Sequence, residues 1–158
     1  MSEQEQDYKP SRIFTLEEAN AMLPLVSAIA SDLARLSRDV IDRRQRLAYV
    51  AQNRELSTGD PYDDEIALVE RELDQDSQQL REYVEELREL GVEPKGAAEG
   101  LVDFPTMLDG RLAYLCWKVG EPEVLFWHEL DAGFAGRQPL AAVTVADDAS
   151  GSTRFFED

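Results

Sequence analysis

The sequence predicts an α+β fold, in which a long antiparallel helical hairpin, similar to a coiled coil, packs with a small antiparallel β-meander. Residues 13–91 carry two apolar heptad repeats with a Gly-Asp-Pro break between them. Seven of the nine glycines then lie between Gly91 and Gly136, among short aromatic and β-branched runs that are typical of strands. We divide the chain into a disordered N-terminal tail, the hairpin, the β-meander with an ordered loop, and an acidic, mobile C-terminal tail (residues 1–12, 13–91, 92–140 and 141–158).

The first helix begins at a capping box. The hydroxyl of Thr15 can accept a hydrogen bond from the N–H of Glu18, whose carboxylate can accept one from the N–H of Thr15. Pro24 either kinks this helix or starts a second, longer one. The heptad has a single polar residue, Arg43, among its members Met22, Val26, Ile29, Leu33, Leu36, Val40, Arg43, Leu47 and Val50.

The second helix has its own start and stop signals. Gly59 can end the first helix, Asp60 can cap the second, and Pro61 suits its first position. The helix ends at Gly91, and its heptad also has one polar residue, Asp76. Its members are Tyr62, Ile66, Val69, Leu73, Asp76, Leu80, Tyr83, Leu87 and Leu90.

The two heptads predict a seam along the hairpin. Folding the chain at its break brings Arg43 and Asp76 within a turn of each other, so an ion pair is within their reach. Helices of about 30 residues are about 45 Å long, and a lone hairpin of that length buries only a narrow seam. We therefore expect a homo-oligomer that forms through the helices, unless the C-terminal half covers them.

The C-terminal half predicts about three strands, "LVDFP", "RLAYLCWK" and "EVLFWHE". Asp109-Gly110 and Gly120-Glu121-Pro122 are the turns between them, "GVEPKGAAEG" is a preceding linker or turn, and "LDAGFAGRQPL" is an ordered loop. Strand alternation gives two apolar faces, so we expect the hairpin to cover one and a loop or partner chain to cover the other. On the first strand Tyr114, Cys116 and Lys118 share one face, and Leu115, Trp117 and Val119 share the other. On the second strand Val124, Phe126 and His128 share one face, and Leu125 and Trp127 share the other, so Cys116 and His128 can point to the same face of the sheet.

Charge and composition exclude several classes of protein. Acidic residues outnumber basic ones by 33 to 16, and the net charge is -17, which opposes binding to nucleic acids and to anionic membrane surfaces. The chain has no apolar stretch of about 18 residues and no signal peptide, and its single Cys cannot form an internal disulfide. These features indicate a cytoplasmic protein.

The candidate site lies in "LCWKVGEPEVLFWHE", which contains the only Cys, the only His and both Trp residues. His128 and Glu129 begin an H-E-x-x-H zinc-protease motif, but no second His exists to complete it. A zinc site would instead combine Cys116 and His128 with carboxylates from Asp103, Glu121, Glu129 or Asp131. The simpler interpretation is a His that hydrogen-bonds locally at a strand end and a buried structural thiol.

Two further kinds of chemistry are weaker candidates. A Cys–His nucleophile pair is open to Cys116 and His128, although no Gly-rich oxyanion loop precedes the Cys. Arg137 could bind a carboxylate or phosphate ligand, or it could bridge to a nearby acid and hold the loop in place. The second role is favoured, with Asp103, Glu129 and Asp131 as the expected partners.

Five motifs together resemble an uncharacterised bacterial family, domain of unknown function 2203. They are "FTLEEANAMLP", "GLVDFP", "DGRLAYLCWKVGE", "FWHE" and "GFAGRQPL", and the likeness covers residues 13–140. The resemblance implies a soluble bacterial protein with a helical hairpin and a β-region, and it implies no activity. It makes Gly100 to Leu140 the signature segment, and it favours one constellation formed by Asp103, Trp117, Glu121, His128, Glu129 and Arg137.

Two functions are consistent with these patterns. The first is a non-enzymatic structural or protein-interaction module that self-associates through its helices. The second is a small-molecule or metal-binding protein, enzymatic or not, with a site around His128. The residues name no reaction, cofactor or ligand.

Overall fold

The structure, a computed structural model, describes residues 9–52 and 61–142, with positions 61, 62 and 142 described by backbone alone. The expectations for most of the two tails, and for Gly59 and Asp60, lie outside the described residues. Two helices and a five-stranded antiparallel sheet confirm the predicted α+β class. The elements are α1 (Leu16–Gln52), α2 (Pro61–Glu89), β1 (Glu93–Gly96), β2 (Leu101–Leu108), β3 (Arg111–Lys118), β4 (Phe126–His128) and β5 (Gln138–Pro139).

Helix α1 begins at the predicted capping box. The Glu18 N–H donates to Thr15 Oγ1, and the Thr15 N–H donates to Glu18 Oε1, both at 3.0 Å. Pro24 lies inside α1 and does not start a second helix, so the helix is one element of 37 residues and about 55 Å. The missing N–H of Pro24 removes the helical hydrogen bond to the carbonyl of Asn20.

The hairpin seam contains the expected ion pair. Arg43 Nη2 contacts Asp76 Oδ2 across the helices and also lies 3.0 Å from Asp39 Oδ2 one turn earlier. Packing of α1 weakens along its length, because its buried residues run from Leu16 to Val40 and stop there. The half of the hairpin beyond Arg43 is therefore much more exposed than the half beside the sheet. Neither helix in the described part of the chain is long and apolar enough to cross a bilayer.

The sheet is a sequential meander of order β1-β2-β3-β4-β5, with two more strands than expected. The segment expected to be a linker contains β1, and the expected loop after β4 contributes β5. Strand β4 is shorter than predicted and begins at Phe126. One reason is that the N–H of Val124 donates to Asn20 Oδ1 in α1 at 2.8 Å rather than to a strand. Val124 consequently packs in the core, so its predicted place on the face of Phe126 and His128 is wrong.

The two faces of the sheet have different surroundings. One face packs against the helices and shares a single apolar core with them. Its members include Val102, Phe104 and Leu108 of β2, Ala113, Leu115 and Trp117 of β3, and Trp127 of β4. The segment before α1 is fixed to the sheet as well, since Thr106 Oγ1 donates to the Phe14 carbonyl at 2.7 Å. We call the opposite face, which bears Asp103, Cys116 and His128, the outer face.

Candidate metal centre

Three buried polar side chains meet on the outer face. Asp103 in β2 is the cross-strand partner of Cys116 in β3, and His128 in β4 pairs with Tyr114, two residues from Cys116. The period of two along each strand therefore directs all three side chains to the same side. They are 1%, 2% and 2% exposed, and one potential ligand atom from each lies within 4.8 Å of the others. We call Asp103, Cys116 and His128 the buried triad.

The hydrogen bonds of His128 fix the orientation of its ring. Nδ1 lies 2.6 Å from the backbone carbonyl oxygen of Glu129, which can only accept, so Nδ1 carries a proton and donates. Nε2 lies 3.0 Å from Asp103 Oδ2. Since an unprotonated nitrogen and a carboxylate oxygen repel each other, a proton or another cation must lie between Nε2 and Oδ2.

Protonation of His128 reflects two opposing effects. Burial lowers the pKa of His128, because an imidazolium loses its hydration. The hydrogen bond and negative charge of Asp103, together with the Glu129 carbonyl, outweigh burial and raise the pKa above its ordinary value. In the absence of a metal, the cation between the two groups is therefore a proton.

Cys116 is not an activated nucleophile in this environment. Burial raises the pKa of its thiol to about 12, and the charge of Asp103 contributes to the rise. The side chain thus stays a neutral thiol at physiological pH, whereas nucleophilic cysteines have lowered pKa values. The Cys–His nucleophile hypothesis loses its chemical basis, and a thiolate at Cys116 would need a new positive charge close to the sulfur.

Asp103 has one oxygen without a well-formed hydrogen bond from the described residues. Oδ2 bonds to His128, whereas Oδ1 is buried and has no partner of standard geometry there, although the Cys116 thiol interacts with the carboxylate. A buried acceptor without a partner costs about 1–3 kcal/mol, so native proteins keep few of them. A buried carboxylate oxygen beside a thiol and an imidazole is a feature that a bound cation would explain.

A cavity of about 280 Å³ opens beside the buried triad, and all three of its side chains line it. Leu101, Leu130 and Phe134 supply apolar wall, and Lys95 and Asp131 are exposed charged residues of its lining. The loop after β4 thus covers this part of the outer face but leaves a path to the triad.

The predicted constellation of six residues divides into separate groups. Asp103 and His128 lie together, while Trp117 points to the core and donates from Nε1 to the Glu121 carbonyl at 3.0 Å. Glu129 gives His128 only its backbone carbonyl, and its carboxylate lies 2.5 Å from Arg111 Nη2. Of the carboxylates weighed as zinc ligands, only Asp103 joins the buried triad.

Glu121 and Arg137 form a second group that holds the loop. Both oxygens of Glu121 lie 2.7 Å from Arg137 Nη2, and Oε1 also accepts the Lys118 N–H at 2.7 Å. The guanidinium lies over the rings of Phe126 and Phe134, 4.0 and 4.7 Å from their centres. The bridging role of Arg137 therefore holds, but among the described residues its acidic partner is Glu121, not one of the three that the sequence favoured.

Lys95 is a site residue that sequence reasoning missed. Strand β1 pairs Pro94 with Val102 and Gly96 with Leu101, which leaves Lys95 as the extra residue of a bulge. Bulges redirect side chains near sites, and here the Lys95 ammonium lies 4.9 Å from the centre of the Tyr114 ring. Gly96 in a strand is a weak sequence signal for such a bulge, but it was hidden by the interpretation of this segment as a linker.

Comparison with known protein families identifies the family of the chain. Residues 12–140 match the family described as "Uncharacterized conserved protein (DUF2203)". The chain belongs to this family. The match contains both helices, all five strands and the buried triad, so it confirms the resemblance found in the sequence motifs. No curated protein and no solved structure matches the chain.

Proposed function

We propose that this DUF2203 protein binds a divalent transition metal, with zinc as the first choice, through Asp103, Cys116 and His128. The observation that carries the proposal is the meeting of three buried ligand atoms beside a carboxylate oxygen, Asp103 Oδ1, that has no hydrogen-bond partner among the described residues. His128 Nε2 and Asp103 Oδ2 also need a cation between them, which is a proton in the absence of a metal. A metal ion supplies positive charge to all these atoms at once.

The spacing of the ligand atoms suits a metal after small side-chain movements. Zinc bonds of about 2.0–2.3 Å in a tetrahedral arrangement put ligand atoms roughly 3.3–3.8 Å apart. The triad atoms lie within 4.8 Å of one another. Nε2 and Oδ2, which are 3.0 Å apart, would have to separate slightly, and small side-chain rotations would complete the other contacts.

The hydrogen bond on the far side of the imidazole supports the same role. Metal-binding histidines usually donate the other ring N–H to a carboxylate or a backbone carbonyl, which fixes the ring and its tautomer. His128 donates from Nδ1 to the Glu129 carbonyl, so Nε2 is the nitrogen that faces the triad and would bind a metal once its proton is lost.

The types of ligand favour zinc over magnesium or calcium. A thiolate and an imidazole suit Zn²⁺ and its transition-metal neighbours, whereas Mg²⁺ and Ca²⁺ prefer oxygen ligands. Binding would release two protons, one from the Cys116 thiol and one from His128 Nε2, and the thiolate and the Asp103 carboxylate would then balance the charge of the ion. With three protein ligands, one coordination position remains, and the cavity lies beside it. That arrangement is typical of catalytic rather than structural zinc sites.

Cobalt substitution tests the metal site directly. Full-length protein without a His tag is stripped of metal and titrated with Co²⁺, whose thiolate complexes have a sulfur-to-metal absorption band. We expect one Co²⁺ per chain with this band, and C116S should lose the band. H128Q and D103N should weaken binding by at least tenfold. Absence of saturable binding, or an unchanged band in C116S, would refute the proposal.

E129Q is the matched control for that titration. It removes the carboxylate next to His128, which pairs with Arg111, and it keeps the backbone carbonyl that accepts from Nδ1. D131N is a second control, since Asp131 lines the cavity outside the triad. Both variants should bind Co²⁺ as the wild type does.

A second function, self-association through the helices, is supported by the exposed half of the hairpin. A groove of about 450 Å³ lies between the helices there, with Leu47, Val50, Ile66 and Val69 in its walls. Arg46 and Glu65 line it too, so a two-fold related copy could pair each Arg46 with the Glu65 of the other. We propose a homodimer at this groove, and neither nucleic acid nor membrane as a partner, because the net charge is -17.

Light scattering coupled to gel filtration tests the dimer. The wild type should have twice the monomer mass at micromolar concentration, and V50E/V69E should be monomeric with unchanged Co²⁺ binding. D74N, on an exposed position of α2, is the control and should stay dimeric. A wild type that is monomeric at high concentration would count against self-association and leave the metal site unaffected.

A reducing cytoplasm suits the proposed metal site. Cys116 is a free, buried cysteine, and it can bind a metal only while it is reduced. We therefore propose a cytoplasmic location.

A further inference from the structure

The cavity beside the buried triad has the features of a small ligand pocket. At about 280 Å³ it lies near the lower end of the usual range for ligand sites. Leu101, Leu130 and Phe134 give it apolar wall, and the triad lies in the same lining. A ligand of matching shape would touch the metal with one end and the apolar wall with its body.

Charge at the cavity favours an anionic group at the metal end. A divalent ion bound to one carboxylate, one thiolate and a neutral imidazole has no net charge. Lys95 and Asp131 then give the lining one positive and one negative charge, and Lys95 is the one Lys or Arg among the described residues that line the cavity. An anionic group is therefore expected on the Lys95 side, where the ammonium lies 4.9 Å from the centre of the Tyr114 ring.

The backbone places Lys95 there at a cost to strand pairing. As the extra residue of the bulge in β1, Lys95 is left out of the regular register between Pro94 and Gly96. Its ammonium lies over the Tyr114 ring at 4.9 Å, and Tyr114 is the cross-strand partner of His128. A cation is thus held beside the triad, on the same face of the sheet.

We propose that the open coordination position takes the carboxylate of a small monocarboxylic acid, one oxygen binding the metal and the other accepting from Lys95. This inference rests on the proposed metal site. The apolar wall contacts the short hydrocarbon body of the acid, and Asp131, an exposed acid in the same lining, repels a second carboxylate. The ligand class is therefore a short aliphatic monocarboxylate rather than a dicarboxylate or a phosphate ester.

Butyrate binding to the Co²⁺-loaded, full-length protein tests the inference. Butyrate should bind saturably and shift the visible absorption of the cobalt, because it replaces solvent at the metal. Butyramide, its neutral analogue, and succinate, its dicarboxylate counterpart, should bind at least tenfold more weakly. The metal-free protein should also bind butyrate at least tenfold more weakly by calorimetry.

Variants of Lys95 and Lys118 test whether Lys95 binds the second oxygen of the carboxylate. K95Q should bind Co²⁺ normally and lose about ten- to hundredfold in butyrate affinity, the usual effect of removing a charge-assisted hydrogen bond. K118Q is the control, since Lys118 lies on the same face but contacts the Phe134 ring from outside the cavity lining. It should bind butyrate as the wild type does.

The outcomes separate the two proposals. If Co²⁺ fails to bind, both the metal site and this inference are overturned. If Co²⁺ binds but butyrate causes no shift, or binds equally well to K95Q and to the wild type, the carboxylate inference fails and the metal site stands. Equal binding of butyramide and butyrate would also reject the inference, because charge would then have no role.

Discussion

The two faces of the sheet use neighbouring residues of the same strands for different purposes. On the helix side, Phe104 and Leu115 are fully buried in one apolar core. On the outer side, Asp103 and Cys116, each one residue away, are equally buried but carry polar groups. Burial of polar groups with incomplete hydrogen bonding costs free energy, while burial of apolar groups stabilises. The strands therefore gain stability from their helix-side face, whereas the buried polar site on their outer face costs free energy of folding.

Phe104→Ala should cause the largest change in stability, because it removes a large buried side chain from the helix-side face. We expect a loss of about 3–5 kcal/mol in the free energy of unfolding, since the change leaves a cavity in a tightly packed core. Urea denaturation monitored by circular dichroism measures the loss, and Phe104→Leu should lose clearly less.

The same variant also tests whether the faces are independent. Its folded fraction should bind Co²⁺ with nearly wild-type affinity, because Phe104 points away from the triad. A drop in Co²⁺ affinity as large as that of D103N would show that the two faces of the sheet are coupled.

Replacement of Asp103 and His128 by apolar residues should have the opposite effects, preserving stability and abolishing metal binding. In metal-free buffer, D103L/H128F should unfold with a free energy equal to that of the wild type or up to about 4 kcal/mol higher, as for buried ion pairs replaced by apolar residues. Metal binding should be abolished. Chemical denaturation with a chelator present measures the first effect and cobalt titration the second.

The single variant D103L provides the contrast for that experiment. It leaves His128 buried with no acidic partner at Nε2, so it should be less stable than both the double variant and the wild type. If the double variant is the least stable of the three proteins, the buried triad stabilises the fold, and the free-energy cost that we assign to it is wrong.

The smallest effect should be a dependence on pH in the metal-free protein. The pKa of His128 is raised in the folded state above its unfolded value of about 6.5. The stabilisation from its protonated form is then complete below about pH 6.5 and disappears as the pH rises through the folded pKa. Stability relative to H128Q should therefore decrease from pH 6 to pH 9.

Denaturation midpoints of both proteins across that pH range provide the measurement. E129Q should follow the wild type, since its carboxylate pairs with Arg111 and not with the ring. A stability difference that grows with pH would mean that His128 is neutral when folded and that the proton lies on Asp103.

Local patterns were enough to predict much of the fold. The capping box at Thr15 and the turn at Asp109-Gly110 depend on nearby residues, and the structure has both. The heptads brought Arg43 within reach of Asp76 but left the pairing open, and the structure contains it. Strand alternation allowed Cys116 and His128 to share a face without requiring it, and the register of β3 with β4 places them together. The errors came where distant contacts decide, as at Val124, whose N–H bonds to Asn20 in α1.

Prediction of the candidate site from the sequence was limited in the same way, because distant contacts decide which residues meet. Sequence reasoning named Asp103 and His128 but could not choose among four carboxylates, because their distances depend on the pairing of β2 with β3 and β4. It gave Arg137 a bridging role but the wrong acid, since Glu121 reaches it only through the path of the loop. Lys95 was missed because a bulge is a property of two paired strands.

By itself, the sequence determined the helical hairpin, the order of the three central strands and the alternation of their side chains, because helix and strand periods are local properties of the chain. Only the tertiary structure decided that Asp103, Cys116 and His128 share one buried pocket, with one carboxylate oxygen lacking a described donor. The physical reason is that pKa values, desolvation and coordination depend on the distances between atoms. For residues up to 25 positions apart, those distances are set by strand register and not by the sequence between them.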